Sequence, residues 1–542
     1  MLQAMIGFAK NSFFLKKNEW LIYFFTLGIA LASALSRIGG GWYIDPFHHG
    51  EYVASLPFVL SGNINFFIIH GALDWIPAWL SHRFYGAEKY FFHTMLIYNM
   101  LNALASVVLF LIIALMVREG KYRALILVTA AVLTHYLVGV RDVFLLLAIL
   151  VYFSCEEISS KRAQTVLEIT LGILLAVNLW WSFDRGIAGI VGIGLACLIL
   201  IVFERRYLFA LGAFTASIAG LVWIGALSLS GYVENIKFLV ATSSQWSYGY
   251  SEFAPVLWTV LAVVPNALII YYLGKRFLSS NLGWKERASV VMLMVLSIAL
   301  LKIGTNRADV DHMGMSLWMP AIAFLYLRGR FADKIPAIAT ATVTITLIWL
   351  SVNADNYWIL LGALIPTIYL IGTKFPKFTN VLESKKISLV VFAIPLLIFN
   401  VSKVSANAYP WLSRDFVPPP NYVLVSKYAQ WVSIEMLMAD APCIFDLSNH
   451  GVINGFTGLP SCTKYIYPVY ATRQYEADML QQLQQSNPPV VVFSSADWFF
   501  RIDGKSMHTR FPAVTNYLVQ NYPYQQCKFG YCLRYINQPG LN

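Results

Sequence analysis

The chain is 542 residues long, 58% hydrophobic and only 12% charged, with a formal net charge of +11. Soluble domains carry roughly a quarter charged residues, so this composition excludes an ordinary soluble fold and defines a polytopic α-helical membrane protein. The basic residues are dispersed over many short loops and form no single stripe, which argues against nucleic acid as a partner.

A helix that crosses the hydrocarbon core needs about 20 apolar residues. The first such run is Trp20 to Leu35, preceded by Lys10, Lys16 and Lys17. Arg37, Gly39, Gly40 and Gly41 follow it in place of a small-residue cleavage site, so it reads as a retained signal anchor. Later runs centre near Ala105, Val132, Leu147, Leu174, Leu195, Ser217, Val263, Val295, Ala321, Val343, Ala363 and Ile394, which makes about thirteen transmembrane helices.

Lysine and arginine near helix ends are retained in the cytoplasm. With the N-terminus inside, the cytoplasmic segments hold Lys10, Lys16, Lys17, Arg118, Lys121, Arg123, Lys161, Arg162, Arg205, Arg206, Lys275, Arg276, Lys285, Arg287, Arg328, Arg330, Lys334, Lys374, Lys377, Lys385 and Lys386. The opposite loops hold the smaller set of Arg37, Arg83, Lys89, Arg141, Arg185, Lys237, Lys302 and Arg307. An odd number of spans then places the C-terminus outside, as expected for a multi-pass protein of a bacterial inner membrane with a cytoplasmic N-terminus and a periplasmic C-terminal domain.

The chain divides into a transmembrane domain, residues 1–403, with a long first extracytoplasmic loop at 37–93, and an extracytoplasmic α/β domain, residues 404–542. The loop is rich in aromatic residues beside polar ones, among them Trp42, Tyr52, Trp75, Trp79 and Tyr85, and short helices lying on the membrane surface are expected there. It opens with Tyr43-Ile-Asp45-Pro-Phe-His48-His49-Gly-Glu51, which sets two carboxylates and two imidazoles close together after a run of glycines. A carboxylate desolvated at the membrane surface gains basicity, so Asp45 is the expected general base. A merely solvated acidic cluster is the alternative.

Arg141-Asp142 occupies a tight turn between the third and fourth runs, and Asp142 stands as a second catalytic carboxylate or as half of a simple ion pair. Trp180-Trp181-Ser-Phe-Asp184-Arg185 follows at the next emerging helix end, where arginine suits phosphate and the tryptophans suit an interfacial anchor. The segment Gly231 to Phe253 reads as a loop able to cover a cleft. Lys302 and then Thr305-Asn-Arg307-Ala-Asp309-Val-Asp311-His312 form the densest polar run of the short loops. Arg307 would grip a phosphate, with Asp309, Asp311 and His312 orienting it, binding sugar hydroxyls or ligating a divalent cation. No complete metal-ligand set is legible, and the bland alternative is a solvated, self-paired loop.

Beyond Asn407 the apolar runs shorten and Pro418, Pro419 and Pro420 interrupt the chain. Cys443 to Leu447 and Pro488 to Ser494 read as strands, with a helix over Tyr475 to Gln485 between them. Cys443, Cys462, Cys527 and Cys532 allow three disulfide connectivities in an exported domain, and proximity favours Cys443 with Cys462 and Cys527 with Cys532.

This layout resembles the GT-C superfamily of polytopic glycosyltransferases, which includes the lipid A aminoarabinose transferases and the protein O-mannosyltransferases. The resemblance implies an essential acidic residue after the first transmembrane helix, matched by Asp45, a second acid in the next exported loop, matched by Asp142, and a phosphate-binding base, matched by Arg307. Asp446-Leu-Ser-Asn449-His-Gly451, Tyr467-Pro-Val-Tyr470-Ala471 and Pro488-Pro489-Val-Val-Val look like the exported domain of bacterial members. The His48-His49 pair departs from the Asp-Glu pair of the mannosyltransferases, which leaves the role of Glu51 and any metal open.

The implied activity is transfer of a sugar from a polyprenyl-phosphate-linked donor to a glycan, lipid or protein of the cell envelope, with inversion, at the outer face of the membrane. Asp45 takes the acceptor proton and Arg307, with Arg185 or Lys302, stabilises the departing phosphate. A transporter or flippase of lipid-linked saccharides, and an O-antigen-type polymerase, are the competing readings. The first calls for ionisable residues deep inside spans, and the second normally lacks a C-terminal domain of this size.

Overall fold

The computed structural model describes residues 19–36, 47–62, 68, 70–86, 90–117, 126–128, 130–131, 134, 137–242, 253–305, 313, 316–331, 420–495 and 506–539. The chain forms two compact units: Met1–Gly40, Asn99–Gly220 and Tyr250–Arg414 make the first, and Gly41–Tyr98, Leu221–Gly249 and Asp415–Asn542 the second.

Among the described residues, four helices are long and apolar enough to cross a membrane: His93–Met116, Lys161–Trp181, Phe183–Glu204 and Trp284–Thr305. Ile22–Leu35 and Leu208–Trp223 are shorter apolar helices. Val143–Glu157, with 15 residues, and Trp318–Phe331, with 14, fall short of a full span at about 1.5 Å per residue. The runs read near Val343, Ala363 and Ile394 lie outside the described residues, as does most of the run near Val132.

The apolar side chains of these helices divide between two environments. Leu145, Leu146, Ile149, Leu171, Ile193, Leu200, Leu293 and Leu296 belong to one buried core of the first unit. Ile187, Val191, Leu195, Leu198 and Val202 are instead exposed, at spacings of three and four along one face of Phe183–Glu204, and Val166, Ile169 and Ile173 do the same on Lys161–Trp181. An uncovered apolar stripe of this kind is what lipid covers in a multi-pass membrane protein.

Glycines set the closest approaches inside this bundle. A Cβ on Gly186 would stand 2.5 Å from Leu179 Cα and 2.8 Å from Asn178 O. Ile190–Gly194 forms a π-helical turn within Phe183–Glu204, a feature frequent near functional sites.

The second unit holds a three-stranded antiparallel sheet of order β1-β3-β2, with β1 at Val490–Ser495, β2 at Tyr524–Lys528 and β3 at Tyr531–Tyr535. Helices Glu476–Ser486 and Pro512–Asn521 supply Met479, Leu483, Val514 and Leu518 to its core. Cys443 to Leu447 is not a continuous strand. Ile444 bridges Ser461 and Asp446 bridges Val492, after which Asp446 turns the chain by accepting from Ser448 N–H at 2.7 Å and His450 N–H at 2.7 Å. Cys443 is bonded to Cys462, and Cys527 to Cys532 across the β2–β3 hairpin.

The first loop supplies short helices His48–Ala54, Leu56–Leu60 and Ile76–Tyr85 to this same unit. The segment read as a loop from Gly231 is largely helical, Leu229–Thr242, because Asn235, Phe238 and Thr242 recur at helical spacing and are buried; residues 243–252 lie outside the described residues.

Candidate active site

The first unit gathers charge at one end of its helices. Asp142 ends a 3-10 turn that leads into Val143–Glu157, and Arg185 lies in the first turn of the helix that follows Trp181. Arg185 Nε donates to Asp142 Oδ1 at 2.6 Å, with both side chains only 1% exposed. Arg185 Nη1 reaches Asp184 Oδ2 at 2.9 Å, and Arg141 Nη1 lies 3.9 Å from the same oxygen. The second oxygen of Asp142 accepts the Gly139 N–H at 3.0 Å. Both carboxylate oxygens of Asp142 are therefore committed.

The surroundings hold this arrangement in place. Trp181 Nε1 donates to Val140 O at 3.0 Å, and Asn178 Nδ2 to Arg185 O at 2.9 Å. Ser182 Oγ donates to Asp184 Oδ1 at 2.7 Å. A buried guanidinium is costly to desolvate unless carboxylates compensate it, and here the two acids do so. What results is a buried guanidinium whose position is fixed by two carboxylates.

The other end of Val143–Glu157 carries a separate polar cluster. Glu156 pairs with Lys285 at 3.2 Å and Arg206 at 3.2 Å, and Tyr207 OH donates to Glu156 Oε1 at 2.7 Å. Arg330 pairs with Glu286 at 3.4 Å and Glu157 at 3.6 Å. A small cavity of about 30 Å³ lies among Glu156, Glu157, Lys285, Glu286, Tyr326 and Arg330.

In the second unit, His48 is exposed, His49 half-buried and Glu51 buried on the short helix His48–Ala54. Glu51 accepts a hydrogen bond from Tyr470 OH. His70 and Asp74, which the sequence reading passed over, form a buried pair: His70 Nδ1 lies 2.8 Å from Asp74 Oδ1 and His70 N donates to Asp74 Oδ2 at 3.0 Å. Their spacing of four residues was the available signal.

Thus Asp142, Asp184 and Arg185 are brought together, while Lys302 is exposed near the end of Trp284–Thr305. Asp45, Arg307, Asp309, Asp311 and His312 lie outside the described residues. Among the described residues no group of three or more His, Cys, Asp or Glu side chains is placed to hold a metal ion.

Fold and site together define a multi-pass helical membrane protein with a small disulfide-linked α/β part and a buried arginine–carboxylate cluster. No protein-family model and no curated protein matches the chain. Among solved structures it is similar to the crystal structure of ArnT from Cupriavidus metallidurans bound to undecaprenyl phosphate, at 12% sequence identity and a TM-score of 0.48, over 97% of this chain and 99% of that one.

Proposed function

We propose that this protein is a membrane glycosyltransferase that moves a sugar from a polyprenyl-phosphate-linked donor to a cell-envelope glycan, lipid or protein. The observation that carries this reading is the Asp142–Arg185–Asp184 cluster, in which a guanidinium 1% exposed is held by two carboxylates at the end of membrane-length helices. Ionisable groups inside membrane-spanning segments are expensive to maintain and are read by default as a functional-site hypothesis.

In this reading the reaction proceeds at the extracytoplasmic face, with inversion at the anomeric carbon. Asp45 takes the proton of the acceptor hydroxyl as its oxygen attacks. Arg307, with Arg185 or Lys302, stabilises the charge that develops on the leaving polyprenyl phosphate. Asp142 has both oxygens engaged, so it holds Arg185 in register and leaves proton transfer to Asp45. The two disulfides of the C-terminal part support its export to an oxidising compartment.

The test uses purified full-length protein in lipid vesicles and a panel of labelled undecaprenyl-phosphate-linked hexoses and pentoses, with release of undecaprenyl phosphate as the readout. Asp45→Asn protein that inserts normally is expected to lose at least about a hundredfold in rate. An unchanged rate would remove Asp45 from its role, and no release by the parent protein with any donor would remove the transferase reading itself.

A further inference from the structure

We infer that His70 is a ligand-binding residue of the second unit, held by Asp74 so that its Nε2 accepts a hydrogen bond from a sugar hydroxyl. The choice of a sugar rests on the transferase reading above; the orientation of the imidazole does not.

The pair is built for orientation. Gly71, at φ 110° and ψ −152°, makes a turn that residues with side chains rarely adopt, and the 3-10 turn Ala72–Asp74 follows at once. One Asp74 oxygen accepts the His70 backbone N–H at 3.0 Å, and the other lies 2.8 Å from His70 Nδ1. Ser55 Oγ donates to the Asp74 carbonyl at 2.7 Å, so the acid is fastened from its backbone side as well. His70 is 4% exposed and Asp74 3%.

One ring nitrogen is left over. A carboxylate only accepts, so Nδ1 carries the hydrogen of their bond and Nε2 is a bare acceptor. Among the described residues the hydrogen bonds of His70 are the two to Asp74, and Nε2 has none. Asn235, on the helix Leu229–Thr242, repeats the situation beside the same stretch of chain. Its Nδ2 donates to Ile68 O at 2.8 Å, while its Oδ1 is buried without a partner.

Buried polar atoms are nearly always hydrogen-bonded, so two unmet acceptors in one part of a unit call for a donor from outside. Stability alone does not account for the pair, because apolar side chains serve that end at less desolvation cost. A carboxylate that fixes one imidazole nitrogen and presents the other is the arrangement found in ligand-binding histidines. An anion offers no donor and would face the Asp74 charge. A metal ion would need further ligands, and no group of three suitable side chains is present among the described residues. A hydroxyl supplies the donor without a charge.

The experiment uses full-length protein in lipid nanodiscs, isotopically labelled at the histidine ring nitrogens, beside the variant His70→Asn. The asparagine amide still reaches Asp74 while Nε2 is gone, so the variant is expected to melt with the parent and to assign the His70 signals by their loss. The panel of undecaprenyl-phosphate-linked hexoses and pentoses is expected to shift the Nε2 resonance with at least one sugar, whereas undecaprenyl phosphate alone leaves it in place. In the release assay His70→Asn is expected to raise KM for that donor by about fivefold, the worth of one hydrogen bond, with kcat little changed.

An Nε2 resonance that no sugar-linked lipid shifts overturns the proposal, whether or not the variant folds. An equal shift with undecaprenyl phosphate alone overturns the hydroxyl as the bound group, and an unchanged KM in folded His70→Asn makes the pair structural. A parent protein that releases no undecaprenyl phosphate defeats the transferase reading, while the Nε2 resonance still decides whether a sugar is bound.

Discussion

Arg185 Nε donates to Asp142 Oδ1 at 2.6 Å, joining two residues 43 positions apart whose side chains are each 1% exposed. Removing one partner strands the other charge in a buried site, which costs about 3–5 kcal/mol. Asp142→Ala and Arg185→Ala proteins are each expected to melt several degrees below the parent in detergent. The paired substitution Asp142→Leu with Arg185→Met is expected to regain most of that stability, since apolar residues replace a buried pair at little cost, yet to remain inactive in sugar transfer. Recovery of transfer along with stability would make the pair purely structural.

Gly186 lies one residue beyond Arg185, where a Cβ would stand 2.5 Å from Leu179 Cα and 2.8 Å from Asn178 O. Backbone cannot yield as a side chain end can, so Gly186→Ala is expected to cost about 1–3 kcal/mol. It is also expected to lower transfer, because the helix carrying Arg185 must shift. Gly212→Ala, where nothing lies within 4 Å, is the control and is expected to melt with the parent.

The two disulfides close loops of different length, with sequence separations of 19 for Cys443–Cys462 and 5 for Cys527–Cys532. Loop-closure entropy then assigns about 3 kcal/mol to the first and about 2 kcal/mol to the second. Replacing Cys443 and Cys462 together by alanine is expected to destabilise the domain more than replacing Cys527 and Cys532, as read by hydrogen exchange of the Glu476–Ser486 helix. The reverse order would show that the hairpin, and not the longer loop, limits stability.

Burial pushes the Asp446 carboxyl up to about 6, against hydrogen bonds from the Ser448 hydroxyl and from the Ser448 and His450 N–H groups that hold it down. A carboxyl whose pKa is raised by folding is bound more tightly to its proton in the native state, so stability falls as pH rises from about 4 through about 6. The full effect is about 3 kcal/mol, fully present below the lower value and lost above the upper. His508 acts in the opposite sense: burial, and then the nearby Arg534, hold its imidazole pKa down, and its contribution is lost as pH falls. The difference in domain stability between the parent and Asp446→Asn, measured from pH 7.5 to 4.5, isolates the carboxyl and is expected to favour the parent increasingly toward the acid end. A pH-independent difference would contradict the shift.

Helical membrane segments were legible because an apolar run of membrane length admits few other structures, and Glu476–Ser486 and β1 were legible from their periodicity. Local pattern misled from Gly231 to Thr242, read as part of a loop that carries Glu234 and Lys237, where Asn235, Phe238 and Thr242 form a buried helical face. It also overstated Cys443 to Leu447, whose pairing reduces to single bridges once Asp446 turns the chain. The union of Asp142 with Arg185 left a trace in the sequence, as two charged pairs at successive helix ends. That of Glu51 with Tyr470 left none, since its partners are 419 positions apart and only the folded chain brings them together.

The most direct test of the transferase reading is product analysis in sealed vesicles supplied with a labelled undecaprenyl-phosphate-linked sugar and an envelope extract as acceptor. The account predicts a new labelled glycoside together with free undecaprenyl phosphate, formed by the parent and not by Asp45→Asn. Labelled lipid recovered chemically unchanged on the other side of the membrane would contradict it and assign the protein to transport.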